Sequence, residues 1–221
     1  MNNNVVITGA NRGIGLAMAS IFHAKGYQVF ALCRQTSQEL DALGVNVIEG
    51  VDVSSSQGLA TMHKALSGIN INVLICNAGV LRDESLGNIN TATIREQFEV
   101  NALAPLCVVD TLLAQLVDGA KVAMITSRMG SIADNGSGGR YGYRMSKAAL
   151  NAAAMSLAKD LAPENIAVGI YHPGYVQTDM VNNNGDISAN ESANRLVSLI
   201  ESLTLNDTGV FKHSNGQVLP W

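Results

Sequence analysis

The sequence predicts a doubly wound α/β fold, a seven-stranded and mainly parallel sheet with helices on both faces, in a single domain over residues 1–221. Short β-branched runs alternate with longer helical stretches from end to end of the chain, the pattern that parallel strands joined by helical crossovers produce. Most of those runs are continuously apolar rather than alternating, as expected when helices cover both sheet faces. The chain shows no linker, low-complexity tract or repeat, and its 47% hydrophobic content is ample for one large core.

The first strand is read at Val5–Thr8 (Val-Val-Ile-Thr), followed by a glycine-rich turn and a helix over Gly13–Lys25. Strands at Gln28–Leu32 and Asn46–Glu49 flank a short helix at Gln38–Leu43. A helix at Ser56–Leu66 leads to a strand at Val73–Cys76, and a long helix is predicted over Thr91–Val117. The strand Val122–Thr126, the helix Tyr143–Leu161, the strand Ala167–Tyr171, the helix Ala189–Leu203 and a last strand at Gly209–Lys212 complete the series. Two loops stand out: Ser131–Arg140, rich in Gly, Asn and Ser, and Val181–Ser188, which carries Asn-Asn-Asn-Gly. Each reads equally as a mobile pocket wall or a plain surface connection.

Composition narrows the function. A net charge of −4 with no cluster of Lys and Arg argues against nucleic acid or an anionic membrane as partner, and leaves a small organic ligand. Only 14% of residues are charged, so part of the surface is expected to be lost to partner subunits, giving a homodimer or homotetramer. Cys33, Cys76 and Cys107 are odd in number and sit in apolar segments, as buried free thiols of a reducing compartment do. The four histidines are scattered singly, so no metal site is expected. Met-Asn-Asn-Asn runs straight into the first strand without a basic or apolar leader. The most apolar helix candidate, Ala102 to Val117, is interrupted by Pro105 and Asp110 and reads as too short to span a bilayer. A cytoplasmic protein is expected.

The turn after the first strand reads Thr8-Gly9-Ala10-Asn11-Arg12-Gly13-Ile14-Gly15. Glycines at a strand-to-helix turn let the backbone approach a pyrophosphate, whose charge the helix N-terminus favours. The spacing is G-x-x-x-G-x-G rather than G-x-G-x-x-G. The second strand ends Ala31-Leu32-Cys33-Arg34, with no carboxylate before Glu39 to hold a ribose 2′-hydroxyl. Arg34 and Arg12 are two cations able to converge on a 2′-phosphate, which favours NADP over NAD, with NAD still possible. Tyr143 and Lys147 lie four apart on a predicted helix and so share a face. The Lys147 ammonium can then favour the ionised form of a phenol that titrates near ~10 when free, bringing it toward useful acid or base work.

Taken together, these residues resemble the short-chain dehydrogenase/reductase family, whose members have a Rossmann fold. The resemblance rests on the glycine turn, Asp52-Val53 after the third strand, Asn77-Ala78-Gly79 after the fourth, Asn101, Ser127 after the fifth, Tyr143 with Lys147, and Pro173-Gly174-Tyr175-Val176-Gln177-Thr178 after the sixth. Ser127 to Ile132, the Ser-Gly-Gly before the Tyr segment and the ending Gly216 to Trp221 resemble the C-factor and Sniffer-like carbonyl reductase branch. The resemblance implies a hydride transfer between nicotinamide and a small carbonyl or secondary alcohol. Tyr143 would exchange the proton, Lys147 would bond the nicotinamide ribose and, together with the positive charge of oxidised nicotinamide, lower the Tyr143 pKa, Ser127 would hold the substrate oxygen, and Asn101 would anchor a relaying water. Asp52 and Val53 would meet adenine, Asn77, Ala78 and Gly79 would pass under the adenosine ribose, and Pro173 and Gly174 would bring Val176 and Thr178 to the carboxamide.

Some assignments stay open at this level. Asn101 reads equally as a helix-interior residue bonded to backbone, and Asp52 as a helix cap or turn residue before Ser54, Ser55 and Ser56. The interval from Ser127 to Tyr143 is a few residues longer than the family's, which brings Ser131 into consideration; Ser127 is preferred because it ends the fifth strand. Leu81, Arg128, Met129, Tyr175 and Met180 are expected to line the substrate pocket, and the short Asp179–Ser188 segment suggests an open one. Two other classes compete with the enzyme: an NAD(P)-binding regulator of the same fold with little turnover, and a methyltransferase-like nucleotide binder, which leaves the Tyr and Lys pair unexplained. For subunit contact, the long helix and the small-residue face Ala148, Ala149, Ala152, Ala153 and Ala154 are the candidates, with packing onto the sheet the equal alternative.

Overall fold

The computed structural model describes residues 3–221; Met1 and Asn2, the start of the N-terminal reading, lie outside the described residues. Seven strands form one sheet in the order β3-β2-β1-β4-β5-β6-β9, and every neighbouring pair is parallel. They are β1 (Asn4–Thr8), β2 (Gln28–Leu32), β3 (Asn46–Ile48), β4 (Ile71–Cys76), β5 (Leu116–Ile125), β6 (Ala167–His172) and β9 (Phe211–His213). The main helices are α1 (Gly13–Ala24), α2 (Gln38–Asp41), α3 (Ser56–Ala65), α4 (Thr91–Phe98), α5 (Ala104–Leu112), α6 (Tyr141–Leu161) and α7 (Ala189–Ser202).

The continuous apolar runs have the predicted consequence. In β1, Val6 joins a core layer with Met62, Val108, Leu112, Leu150 and Ala154 from α3, α5 and α6. Its neighbours Val5 and Ile7 point the other way, to Met18, Phe22, Leu196 and Ile200 of α1 and α7. A strand covered on both faces keeps no polar side. Four of the helices, α2, α3, α4 and α7, start where short polar side chains accept the first free amides: Ser37 from Leu40, Ser55 from Gly58, Asn90 from Ala92 and Thr93, and Ser188 from Glu191.

The long predicted helix is a composite. α4 opens into a wider π-type segment over Glu99–Leu103, α5 follows, and a 3₁₀ turn at Leu113–Gln115 ends the run. Pro105 is the cause: it has no amide hydrogen for the carbonyl of Asn101 four residues back, so the helix widens there and restarts with Pro105 in its first turn. Leu116 and Val117, read as helix, belong to β5. The run Thr91–Gln115 is long and apolar enough to cross a membrane by length and composition, which corrects the estimate made on Ala102 to Val117. Its residues Ala104, Val108, Val109 and Leu112 are in the core.

Smaller differences follow local chemistry. α6 begins two residues early, at Tyr141, because its first turn is capped from a distance by Glu84. β7 (Val176–Gln177) and β8 (Ile187–Ser188) form a separate parallel pair that closes the Val181–Ser188 loop at its base; strands of two residues carry no periodic signal. The alanines Ala148, Ala149, Ala152, Ala153 and Ala154 are not one face. Ala154 is fully buried with Leu150 and Ala158, whereas Ala152 is exposed. After β9 the tail folds back, Leu219 donating to the Phe211 carbonyl, and Trp221 stacks on Phe211 with centroids 5.4 Å apart. The Trp221 carbonyl accepts from Ala133, which ties down one end of the Ser131–Arg140 loop.

Candidate active site

The strand order reverses between β1 and β4, and at such a switch point the carboxyl ends of the strands open a crevice. The β1–α1 turn is packed into one wall of it. Gly9 has φ +66°, and a Cβ there would lie 2.9 Å from the Ala78 Cα; one on Gly15 would lie 2.2 Å from the Gly9 carbonyl oxygen. Both positions therefore exclude any larger residue. Asn77 stitches the two strand ends together, its Nδ2 donating to the carbonyls of Thr8 (3.0 Å) and Gly9 (3.1 Å), while the Thr8 hydroxyl accepts from the amides of Asn77 and Ala78. Asn11 is tied to the next loop, donating to Gln35 and accepting from Ser37.

α1 begins at Gly13 with no side-chain cap from Arg12. Its first amides, at Gly13, Ile14 and Gly15, have no acceptor within the helix and carry the positive end of its dipole, which suits a phosphate. Arg34 follows β2, close enough to Asp52 for its charge to help hold that carboxyl low, after the hydrogen bonds from Ser54. These features fit a dinucleotide phosphate. Arg12 is placed otherwise than expected: instead of converging with Arg34 it pairs with Asp179 at 3.3 Å, across an exposed gap. Asp52 is a turn residue, accepting from the Ser54 amide and hydroxyl, and Ser55 is the cap of α3. Val53 is buried beside it.

Ser127, Tyr143 and Lys147 come together at the end of β5. All three are buried, at 6%, 8% and 4% exposure. Ser127 leaves the strand in extended conformation and its Oγ accepts from the Met129 amide at 3.1 Å. Ser131 turns away and caps Asp134 instead. The Lys147 ammonium donates to the Ile125 carbonyl at 3.0 Å and lies 5.9 Å from the Tyr143 ring centre. The protein's own groups do not by themselves lower the phenol pKa. Burial raises the Tyr143 pKa, and the Ser127 hydroxyl and the Arg140 charge offset that only in part. Burial also pushes Lys147 down to about 8. Desolvation outweighs the expected ion pairing in this geometry.

The Asn101 side chain is used entirely by its neighbours. Its Oδ1 accepts from the Val80 amide at 2.8 Å, and its Nδ2 donates to the Val80 carbonyl (2.8 Å) and the Ser146 hydroxyl (3.1 Å). The backbone-bonded reading therefore describes the side chain, which clamps the strand-to-loop segment to the helix. Pro105 withholds the usual i+4 donor from the Asn101 backbone carbonyl. Gly79 sits between these groups; a Cβ there would lie 3.2 Å from Asn101 Oδ1 and 3.7 Å from Lys147 Nζ.

On the far side, Pro173 turns the chain, its carbonyl accepting from the Ser192 and Ser214 hydroxyls. Gly174 has φ +99°, a left-handed position natural only to glycine. The turn carries Val176 and Thr178 back over α1, so that a Cβ on Gly13 would meet Thr178 at 3.4 Å. A cleft of about 330 Å³ lies between this turn and α6, bounded by Ile14, Ser127, Tyr143 and Thr178, and all five expected pocket residues, Leu81, Arg128, Met129, Tyr175 and Met180, line it.

Two features escaped sequence reasoning. Glu84 is 3% exposed, and its carboxylate accepts from the Thr93 hydroxyl (2.7 Å), Gln97 Nε2 (2.8 Å) and the Gly142 amide (3.2 Å). It caps the helix that carries Tyr143, yet Arg-Asp-Glu-Ser reads as an exposed polar turn. His172 packs edge-on to His213 at 5.0 Å, and burial pushes it down to about 3, keeping it neutral on the cleft wall. Its position before Pro-Gly is the one visible signal. Among the described residues no group of three His, Cys, Asp or Glu could hold a metal ion.

Fold and site together define an oxidoreductase-type dinucleotide crevice with a buried Tyr, Lys and Ser at its mouth. The chain belongs to the short chain dehydrogenase family, whose profile matches residues 3–188. It is 35% identical over 225 residues to 1-hydroxy-2-glutathionyl-2-methyl-3-butene dehydrogenase of Rhodococcus sp. (strain AD45), covering 99% of this chain and 100% of the relative. It is 43% identical over 154 residues to the C-signal of Myxococcus xanthus, covering 68% of this chain and 93% of that one. The NADPH-bound carbonyl reductase from chicken fatty liver superposes with a TM-score of 0.89 at 28% identity, over 100% of this chain and 99% of its own. These likenesses agree with the branch read from the sequence.

Proposed function

We propose that the protein is an NADP-dependent oxidoreductase that moves a hydride between nicotinamide and a small carbonyl or secondary alcohol, as a carbonyl reductase does. The observation that carries this reading is the convergence of the Tyr143 phenol and the Ser127 hydroxyl in one cleft beside the glycine turn. When bound, the nicotinamide supplies the hydride and, once oxidised, a positive charge. Ser127 holds the substrate oxygen and stabilises the charge that grows there. Tyr143, whose pKa burial raises, gives its proton to that oxygen in reduction. Lys147 replenishes the proton from its own buried position, with the Asn101 carbonyl as the anchor for a connecting water. The backbone near Val176 and the hydroxyl of Thr178 hold the carboxamide, and Gly9, Asn11, Gly13, Ile14, Gly15, Asp52, Val53, Asn77, Ala78 and Gly79 hold the rest, with Arg34 toward a 2′-phosphate. The NADP-bound structural relative supports that preference.

The exposed Leu103, Leu106, Leu113 and Met145 on α4–α5 and α6 support association into a homodimer or homotetramer, and the free thiols Cys33, Cys76 and Cys107 support a cytoplasmic, reducing setting. The likeness to a protein named C-signal favours a second reading, a cofactor-binding regulator with little turnover. NADPH oxidation against a carbonyl panel, with Tyr143→Phe alongside, separates the two. Turnover that the variant loses supports the enzyme; tight NADPH binding with equal, negligible rates supports the regulator.

A further inference from the structure

The wall of the cleft opposite the glycine turn carries more positive charge than the chemistry above requires. Arg128, Arg140 and Arg144 line it, in a chain whose formal net charge is −4, and among the described residues two carboxylates are paired with them. Arg128 is paired with Asp134, and Arg140 with Asp83 at 2.7 Å. Arg144 is different. It follows Tyr143 directly, it is half-buried, and among the described residues no carboxylate pairs with it.

Its guanidinium is nevertheless held in place. Nη2 donates to the Ser137 hydroxyl at 2.8 Å and Nε to the Gly138 carbonyl at 3.3 Å. Of its five N–H groups three remain to be used. An oriented fork with free donors on a cleft wall matches a carboxylate, which it can bind through two parallel hydrogen bonds. The neighbouring Arg140 has φ +49°, a strained position for a residue with a side chain. Its guanidinium also lines the cleft but is already paired with Asp83. The near wall, with His172 neutral, adds no charge.

We infer that the substrate is a carbonyl or alcohol compound bearing a carboxylate, and that Arg144 binds that carboxylate while the reacting oxygen lies at Ser127 and Tyr143. This rests on the oxidoreductase reading above. The Arg144 charge is only half-buried, so preference for the anion weakens with salt.

The test pairs acids with their neutral esters. With NADPH, 4-oxopentanoate, 5-oxohexanoate and 6-oxoheptanoate are compared with their methyl esters for wild type, Arg144→Gln and Arg144→Lys. Wild type should prefer the best acid by about tenfold in kcat/KM, mostly through KM, as for one charge-assisted hydrogen bond. Arg144→Gln should lose that ratio and Arg144→Lys keep most of it. Equal use of acid and ester by wild type, or a ratio unchanged in Arg144→Gln, overturns the inference. Calorimetric titration with hexanoate and hexanamide gives a readout free of turnover: hexanoate should bind about tenfold tighter, and only while residue 144 is cationic. If no carbonyl is reduced, the oxidoreductase reading fails, and the titration alone still decides whether Arg144 is a carboxylate site.

Discussion

Lys147 is buried at 4% exposure with one backbone carbonyl as its partner, and burial brings it from 10.5 to about 8. A base with a depressed folded pKa binds fewer protons folded than unfolded, so the ammonium costs stability below pH 8, and the cost fades as pH rises toward 10.5. Integrating between those two values gives a penalty of about 3 kcal/mol at pH 7 and about 1 kcal/mol at pH 9.5. Lys147→Met keeps most of the side-chain volume and removes the charge, at the loss of the Ile125 hydrogen bond, worth about 1 kcal/mol. The variant should therefore be more stable than wild type by about 2 kcal/mol at pH 7. Urea denaturation at pH 7 and pH 9.5 measures this, and the advantage should shrink by about 2 kcal/mol over that interval. A difference that does not change with pH would refute the assignment of a depressed pKa to this lysine.

The same group sets the alkaline limb of activity: turnover should hold below about pH 8 and fall above it as Lys147 loses its proton, whereas Lys147→Arg, slower overall, should show no such limb. Ser127→Ala should lower kcat by roughly 10²–10³ through loss of the oxygen-holding donor. Ser131→Ala, whose hydroxyl caps Asp134, should leave kcat within a few-fold, and the reverse order would transfer the role to Ser131. Glu84→Ala strands three donors, two of them side chains around a buried site, and should cost about 3 kcal/mol in urea denaturation, with Glu84→Gln costing less.

The fold was readable because its signals are local and repeated. Val5-Val6-Ile7 is apolar throughout since successive residues meet helix layers on opposite faces, and six such parallel pairings join the seven strands into one sheet. The glycines of the first turn were readable for a steric reason, as Gly9 and Gly15 have no room for a Cβ. What sequence could not weigh was desolvation. Four-residue spacing put Lys147 on the Tyr143 face, but not how deeply both would be buried, and burial reversed the sign of the expected phenol shift. Nor could it assign partners across long separations. Asn101 is bonded to Val80, Arg12 to Asp179 and Glu84 to Gly142, contacts that the packing of α4 and α6 and the loop turns decide. The Asn101 and Pro105 pair, four apart, was the overlooked local clue to the widened helix.

The central claim is a hydride transfer completed by the Tyr143 proton. Its most direct measurement uses NADPH carrying deuterium at the transferring C4 position, one reducible carbonyl from the panel, and mass analysis of the product alcohol. Wild type should place one deuterium on the former carbonyl carbon, and Tyr143→Phe, with NADPH still bound, should place essentially none in the same time. Deuterium-free product, or equal incorporation by the variant, would contradict the account.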